Sequence, residues 1–274
     1  MARRAGKRRP VIIRDIKPPA MLATDLYQAG YADMLSAWEQ AVDPIMAAYR
    51  LTLAQIATDA THDSPADIEG EIAAAERGMA SLFLLLTPRL RDLALRVERW
   101  HRARWVAAVL AASSVNIGTM IGPESMRVTL DTAIARNVGL IRSISDEART
   151  RISAAVFDGL RNRTPADEVA KQVRAATGMA RARARRVASD QLAKLTSALA
   201  DERRREVGIV DWMWRHSGKL HPREEHKARD GNIYSDSPTR VGQSVMGKRI
   251  AAPPQDRPGQ LPFCGCRSQS VLDI

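Results

Sequence analysis

The sequence contains few of the residues from which sheets are usually built. Only 4% of its 274 residues are aromatic, whereas alanine, leucine and arginine are abundant. Aromatic residues favour strands, while alanine, leucine and arginine favour helices. The composition therefore argues against a large sheet, and an apolar content of 45% is enough for a substantial core. We expect a mainly α protein.

The sequence also lacks a long apolar run. The apolar segment 79–86 is too short for a membrane span, which needs about 20 residues. Polar residues interrupt the alanine-rich stretch that follows it. The basic start of the chain, MARRAGKRRP, has no apolar segment after it, as an export signal would require. We therefore expect neither a membrane span nor export.

Apolar residues recur at three- and four-residue steps through most of the chain, as they do in amphipathic helices. Proline and glycine tend to end helices, and a serine followed by acidic residues tends to start one. These signals predict breaks at Pro88, Ser145 and Gly178. The predicted helices are 21–60 with a kink or break at Pro44, 65–87, 88–112, 124–143, 146–161, 165–176 and 179–207.

Beyond residue 208 the apolar residues alternate with polar ones, which predicts a strand over 210–216. Segments 232–234 and 268–272 are short strand candidates that could pair with it. The loop 235–262 contains five prolines. A loop of this length is functional or needs another feature to hold it in place.

These patterns divide the chain into three parts. They are a basic N-terminal arm (1–20), a helical domain (21–207) and a C-terminal module (208–274). The expected fold class is mainly α, with long helices in the N-terminal three quarters, followed by a small α+β module with short strands and long loops.

The C-terminal module holds both cysteines and three of the five histidines of the chain. Four residues separate His221 from His226, and one residue separates Cys264 from Cys266. Zinc binds four such ligands in a tetrahedron, and closely spaced pairs supply them at a small cost in loop closure. The pattern favours a structural zinc site formed by these four residues, with Gly265 relieving the tight Cys-x-Cys turn.

Two other interpretations of these residues stay open. The histidines can be exposed loop residues and the cysteines small buried apolar side chains. A disulfide between Cys264 and Cys266 is the third interpretation, but it would close a strained ring, and nothing in the sequence indicates an oxidising compartment. A metal site would bring its ligand atoms within about 4 Å of a common centre.

The chain carries a formal net charge of +11, which attracts polyanions such as DNA. The arm concentrates five candidate DNA-binding residues: Arg3, Arg4, Lys7, Arg8 and Arg9. Such an arm can neutralise phosphates without sequence preference, or it can bind an acidic protein surface. The alternatives are a basic composition without a nucleic-acid partner and an arm that only improves solubility.

Several short motifs follow one another toward the C-terminus. They are Gly208-Ile209 after a helix, Trp214 in a strand, Arg223 and His226 in an Arg-x-x-His, Gly231 before Tyr234, Pro258-Gly259, and Cys264 with Cys266. In these motifs the chain resembles the phage Mu F-like minor head proteins, also called phage head morphogenesis proteins. The resemblance covers about residues 125–274, whereas residues 1–124 are similar in helical character only. His221 is a departure, because many relatives have another polar residue there.

The resemblance implies a virion protein of a tailed phage that acts in head morphogenesis and in packaging or delivering DNA. The implied partners are the portal protein, the inner capsid surface and packaged DNA, the last bound non-specifically. The implied location is the head interior or the portal vicinity, with the host cytoplasm during assembly. Such a protein would not be an enzyme.

Two alternatives belong to other functional classes. A metal-dependent nuclease of His-Asn-His type would use His226 as base or ligand and Asp230 on the metal, but four protein ligands around zinc leave no open position for its chemistry. A DNA-binding regulator would need a recognition motif, and no helix-turn-helix spacing is evident. The spacing also suggests no Ser/His/Asp or Cys/His triad.

Overall fold

The computed structural model describes residues 10–58, 65–122 and 124–273. Long helices occupy most of the chain, as predicted, and most of the short strands follow them. The long helices are α1 (Ala20–Gly30), α2 (Ala32–Ala57), α3 (Pro65–Ser113), α4 (Arg127–Arg161) and α5 (Ala166–Glu206), with a 3-10 turn at Glu124–Met126. No helix of the described residues is both long and apolar enough to cross a membrane.

The helices are longer than the sequence signals predict. Pro88 lies inside α3 and Gly178 inside α5, and neither divides its helix. Pro88 and Leu84, the residue four positions earlier, are both exposed, so water can solvate the carbonyl that loses its helical partner. Gly178 costs its helix only about 1 kcal/mol relative to alanine. Longer apolar stripes therefore outweigh these local signals.

Two other predicted boundaries are also displaced. The predicted kink or break at Pro44 does not divide the chain, because Pro44 lies within α2, and the separation from α1 falls at Tyr31 instead. The predicted start at Ser145 does not exist, because α4 continues through it. Ser145 is a buried core residue, and its Oγ accepts a hydrogen bond of 3.0 Å from Trp38 Nε1.

By their contacts, the described residues form two compact units. One contains residues within 23–93 and 134–189, and the other contains residues within 1–22, 94–133 and 190–274. The boundaries between the units fall inside α1, α3, α4 and α5. They do not coincide with the division at residues 20/21 and 207/208, which stays a prediction about the chain's domains.

The first unit, within 23–93 and 134–189, is held by apolar helix faces and a few buried polar contacts. The Tyr31 hydroxyl donates to Asn137 Oδ1 at 3.3 Å, so the polar residue on the apolar stripe of α4 has a side-chain partner. Gly159 lets α4 pack closely against α5, because a Cβ at this position would lie 2.6 Å from Cγ2 of Val169 on α5. A close approach of this kind is why glycine is needed there.

The second unit contains a four-stranded antiparallel sheet with the order β1-β6-β2-β3. Its strands are β1 (Pro10–Ile12), β2 (Asp211–Arg215), β3 (Ile233–Ser235) and β6 (Arg267–Asp273). The predicted pairing of the two late segments with the tryptophan strand is confirmed. Strand β1 lies in the segment assigned to the arm, where no strand was predicted, and its Val11 pairs with Leu272 of β6.

The proline-rich loop is partly ordered by its own short elements. A two-stranded hairpin, β4 (Ser244–Val245) with β5 (Lys248–Arg249), lies within it. Its apolar residues Val245 and Ile250 pack with Met213 of β2. Both faces of β2 are therefore covered, which explains why four of its five residues are buried rather than alternate ones.

Two buried arginines connect α5 to its neighbours, Arg203 to α3 and Arg204 to the sheet. Arg203 donates to Glu98 Oε1 at 2.8 Å and, through Nε, to His101 Nδ1 at 3.1 Å. Arg204 Nη1 donates to Ser268 Oγ of β6 at 2.8 Å. Because burial and the charge of Arg203 disfavour the imidazolium, the pKa of His101 falls to about 3, and the ring stays neutral.

Candidate metal centre

Three of the four predicted metal ligands come together in the second unit. His226 lies on the short helix α6 (Glu224–Ala228), and Cys264 and Cys266 lie in the turn before β6. His226 Nδ1 is 3.1 Å from Cys264 Sγ and 3.7 Å from Cys266 Sγ. One ligand atom from each residue lies within 4.8 Å of the others.

The backbone around the cysteines adopts the conformation that the Cys-x-Cys spacing requires. Gly265 has a φ of 67°, in the left-handed region that favours glycine, and Phe263 has a φ of 57°. A Cβ on Gly265 would also lie 3.1 Å from Lys219 Cε and 3.3 Å from Ser217 Cβ. The turn therefore depends on glycine between the two cysteines.

The site is enclosed by aromatic side chains. The cysteines pack in one apolar cluster with Trp212, Trp214 and Tyr234. The imidazole of His226 meets the Trp214 ring edge-on, with 5.1 Å between ring centroids and 71° between planes. His226 and Cys266 are each 2% exposed and Cys264 is 5% exposed. Three potential ligands are thus buried side by side with little access to solvent.

Asp256 fixes the orientation of His226. Its Oδ2 lies 2.8 Å from His226 Nε2, and its Oδ1 accepts a hydrogen bond of 2.7 Å from Arg229. Burial acts to raise the pKa of Asp256, but the hydrogen bond and charge of Arg229 outweigh it, so the pKa is lowered. In the neutral tautomer with the proton on Nε2, His226 donates a hydrogen bond from Nε2–H to the ionised Asp256, and its Nδ1 lone pair faces the cysteines.

The two thiols are hydrogen-bonded to each other, and this changes the pKa of each. A hydrogen bond from the Cys266 thiol lowers the pKa of Cys264 to about 5 against the opposing effect of burial. The backbone N–H groups of Cys266 and Gly259 act in the same direction as that hydrogen bond. Cys264 is accordingly the natural thiolate of the pair, and thiolates are the form in which cysteine binds metal.

The pKa of Cys266 is shifted in the opposite direction from that of Cys264. Its hydrogen bond to Cys264 and its burial raise the pKa of its thiol, although the backbone N–H of Ser217 and the indole of Trp214 lower it. A cation bound between the sulfurs would displace the Cys266 proton.

His221 is not part of this group. It is exposed and lies in the irregular segment that precedes α6. The proposed four-residue set is therefore corrected to three residues among those described, because the short helix that buries His226 begins only after His221. The expectation of a shell closed by four protein ligands rested on His221.

Residues 150–269 match the family model described as phage Mu protein F like protein. The matched segment includes all three clustered ligands and Asp256. The chain contains a phage Mu protein F-like region. This confirms the resemblance carried by Trp214, His226 and the cysteine pair.

One relative extends this comparison. An uncharacterized protein of Haemophilus influenzae is 31% identical over 141 residues, which are 51% of this chain and 28% of that protein. The chain thus spans less than a third of the length of this curated relative. No solved structure matches the chain.

Asp256 is a residue of the phage Mu protein F-like region that sequence spacing did not reveal. It lies thirty residues after His226 in the proline-rich loop, without a motif that marks it. Cys264, His226 and Asp256 are in contact in the sequence thiol, imidazole, carboxylate, which is also the arrangement of a catalytic triad. The spacing of these residues had suggested no Cys/His triad. Cys264 differs from an accessible nucleophile because it is only 5% exposed. In addition, the Cys266 thiol also faces His226 Nδ1, at 3.7 Å.

The nuclease alternative requires His226 and Asp230 at one metal. Both nitrogens of His226 already face other partners, Cys264 and Asp256. Asp230 instead accepts a hydrogen bond of 2.9 Å from the backbone N–H of His216. The phage Mu protein F-like region therefore does not bring the two nuclease candidates together.

The five arm residues proposed to bind DNA lie outside the described residues. Their role stays a prediction. They are Arg3, Arg4, Lys7, Arg8 and Arg9.

Proposed function

We propose that this protein is a minor head protein of a tailed phage that acts in head morphogenesis and in DNA packaging or delivery near the portal. The family match over residues 150–269 is the observation that carries this proposal. A head interior or portal position gives it the portal protein and the inner capsid surface as partners. During assembly it would be present in the host cytoplasm.

The charge of the chain supports contact with packaged DNA. Its net charge of +11 remains after the ion pairs on the long helices are counted, because each such pair neutralises one charge of each sign. Cations near DNA are favoured by counterion release, whatever the base sequence. The proposed DNA contact is therefore non-specific and rests mainly on the basic arm.

A structural role also agrees with the arrangement of the cysteine and histidine residues. The three clustered side chains are buried beneath tryptophan and tyrosine rings. A site of this kind is suited to holding α6 against the turn before β6. We therefore propose no catalytic role for the chain.

Cross-linking mass spectrometry of purified particles tests the proposal. Exposed amines such as Lys171 on α5 and Lys227 on α6 can react with lysine-specific reagents. We expect the chain to remain in heads after nuclease and salt washing, and to cross-link to the portal or the inner capsid surface. Absence from heads at every stage of assembly would contradict the proposal.

A further inference from the structure

The geometry points to one zinc ion bound by His226 Nδ1, Cys264 Sγ and Cys266 Sγ, with Asp256 orienting the histidine and solvent occupying the fourth position. This inference does not depend on the virion role. It rests on the distances between the ligand atoms, on the contacts of His226 and on the burial of the site.

The ligand distances fit a tetrahedral zinc ion. With Zn–S bonds of about 2.3 Å and Zn–N bonds of about 2.1 Å, a tetrahedron places sulfur and nitrogen about 3.6 Å apart. The two observed distances from His226 Nδ1 are 3.1 Å to Cys264 and 3.7 Å to Cys266. Side-chain movements of a few tenths of an ångström would complete the site.

The histidine is oriented as metal-binding histidines usually are. Its distal nitrogen, Nε2, faces the carboxylate of Asp256, which Arg229 holds in turn. A carboxylate at this position fixes the ring and raises the basicity of the nitrogen that binds the metal. The same contact provides the buried imidazole with a partner for Nε2 and keeps Nδ1 toward the two sulfurs.

Two alternatives explain less of the arrangement. A single thiol nucleophile would use one cysteine, whereas here two sulfurs face the same nitrogen in a buried cluster. Both cysteines are free of disulfides, and a bond between them would close the strained ring of a Cys-x-Cys pair. A zinc ion would be bound by both sulfurs and the imidazole together, because thiolate and imidazole are ligands that suit this metal.

The fourth position belongs to solvent. Among the described residues, the group contains no further His, Cys, Asp or Glu side chain, and Asp256 is turned toward the far side of the imidazole. Zinc sites with three protein ligands keep an exchangeable fourth ligand. The enclosing aromatic rings limit that ligand to a small molecule such as water.

Cobalt substitution of the full-length protein tests this assignment. Tetrahedral Co²⁺ bound by thiolates gives visible ligand-field bands and a near-ultraviolet charge-transfer band. We expect these bands to saturate at one Co²⁺ per chain and to disappear when Zn²⁺ is added. The variants C264S and C266S should weaken or abolish the charge-transfer band.

Two further variants keep the test decisive if the cysteine variants fail to fold. Asp256→Asn should weaken zinc binding by about 10- to 100-fold, because it removes the carboxylate behind His226. His221→Ala is the matched control and should bind zinc like the parent protein. Absence of the charge-transfer band in the folded parent protein overturns the site, and loss of binding in His221→Ala overturns the three-residue ligand set.

The solvent position has its own measurement. Small exogenous ligands such as cyanide should shift the visible bands of the cobalt protein by replacing water. A spectrum that does not change across the cyanide titration would overturn this part of the assignment.

Discussion

Asp256 and His226 form the contact that organises the C-terminal site, with 2.8 Å between Oδ2 and Nε2. This contact determines which nitrogen of His226 faces the cysteines. It also links the proline-rich loop to α6, because Asp256 lies in that loop. The loop is therefore held by a carboxylate as well as by its hairpin, rather than by His221 as the sequence suggested.

Replacing Gly265 with alanine should weaken zinc binding. The positive φ of this residue strains any side chain, and a Cβ would lie only 3.1 Å from Lys219 Cε and 3.3 Å from Ser217 Cβ, so the turn that aligns the two sulfurs should shift. Isothermal titration or zinc competition should show at least a tenfold loss of affinity.

Gly218→Ala is the matched control for that experiment. Gly218 has a φ of 71°, but a Cβ there would meet no atom within 4 Å. Both variants should lose about 1 kcal/mol of stability through backbone strain. Only Gly265→Ala should lose zinc affinity, and an equal loss in both variants would mean that the cysteine turn has no specific role.

Arg203→Met should destabilise the protein by roughly 3 kcal/mol, because it leaves the buried carboxylate of Glu98 without its main partner. The estimate is at the lower end of the usual range, since Arg102 Nε also lies 3.5 Å from Glu98. Urea denaturation of the purified protein measures the change in the free energy of unfolding.

Arg205→Met, two residues further along α5, is the control for this prediction. Arg205 pairs with Glu202 at 2.8 Å, but its side chain is 64% exposed. Surface pairs of this kind contribute about 0.2–1 kcal/mol. Similar losses in the two variants would show that the buried pair is not a special support of the fold.

Gly159→Ala should also destabilise the protein, by about 1–3 kcal/mol, because the added methyl group would overlap Val169 and crowd the Tyr49 hydroxyl. Gly139→Ala on the same helix has open space around its Cβ. That control should stabilise the protein by up to about 1 kcal/mol, as alanine usually does in a helix. Thermal melts of both variants in parallel give the comparison, and opposite signs are expected.

Changing the five basic residues of the arm to alanine should reduce the salt dependence of DNA binding. Each phosphate contact contributes about 0.9 to the slope of log affinity against log salt, so a loss of several units is expected if the arm binds DNA. Filter binding or fluorescence anisotropy with unrelated DNA sequences measures this slope.

The control for the arm removes the same number of charges from exposed positions on α4, on α5 and in the turn between them. These positions are Arg161, Arg163, Lys171, Arg174 and Arg186. A smaller change in slope is expected for this variant. If both variants change the slope equally, general charge rather than the arm carries the DNA affinity.

The sequence predicted the character of the fold better than its boundaries. The strand around Trp212 and Trp214 and its two pairing partners could be predicted, because alternation survives in a short strand. The predicted breaks at Pro88 and Ser145 were wrong, because local signals do not report whether a continuing apolar face outweighs them. Strand β1 was missed since its three residues gain their stability from pairing with β6.

The site could be predicted only in part for a related reason. Short spacing marks Cys264 and Cys266 as neighbours, and the Arg-x-x-His resemblance marks His226. Spacing did not reveal that His221 lies outside the helix that buries His226, nor that Asp256 folds back onto the imidazole. Both depend on the path of the loop, which involves contacts between residues distant in sequence.

Native mass spectrometry of the full chain, purified without added metal, tests the central claim about the C-terminal site most directly. We predict a mass one zinc ion above that of the bare chain, lost on acid denaturation and absent from a C264S/C266S double variant. A folded chain with the mass of the bare polypeptide would contradict the account, as would a mass two hydrogens lower that reveals a disulfide.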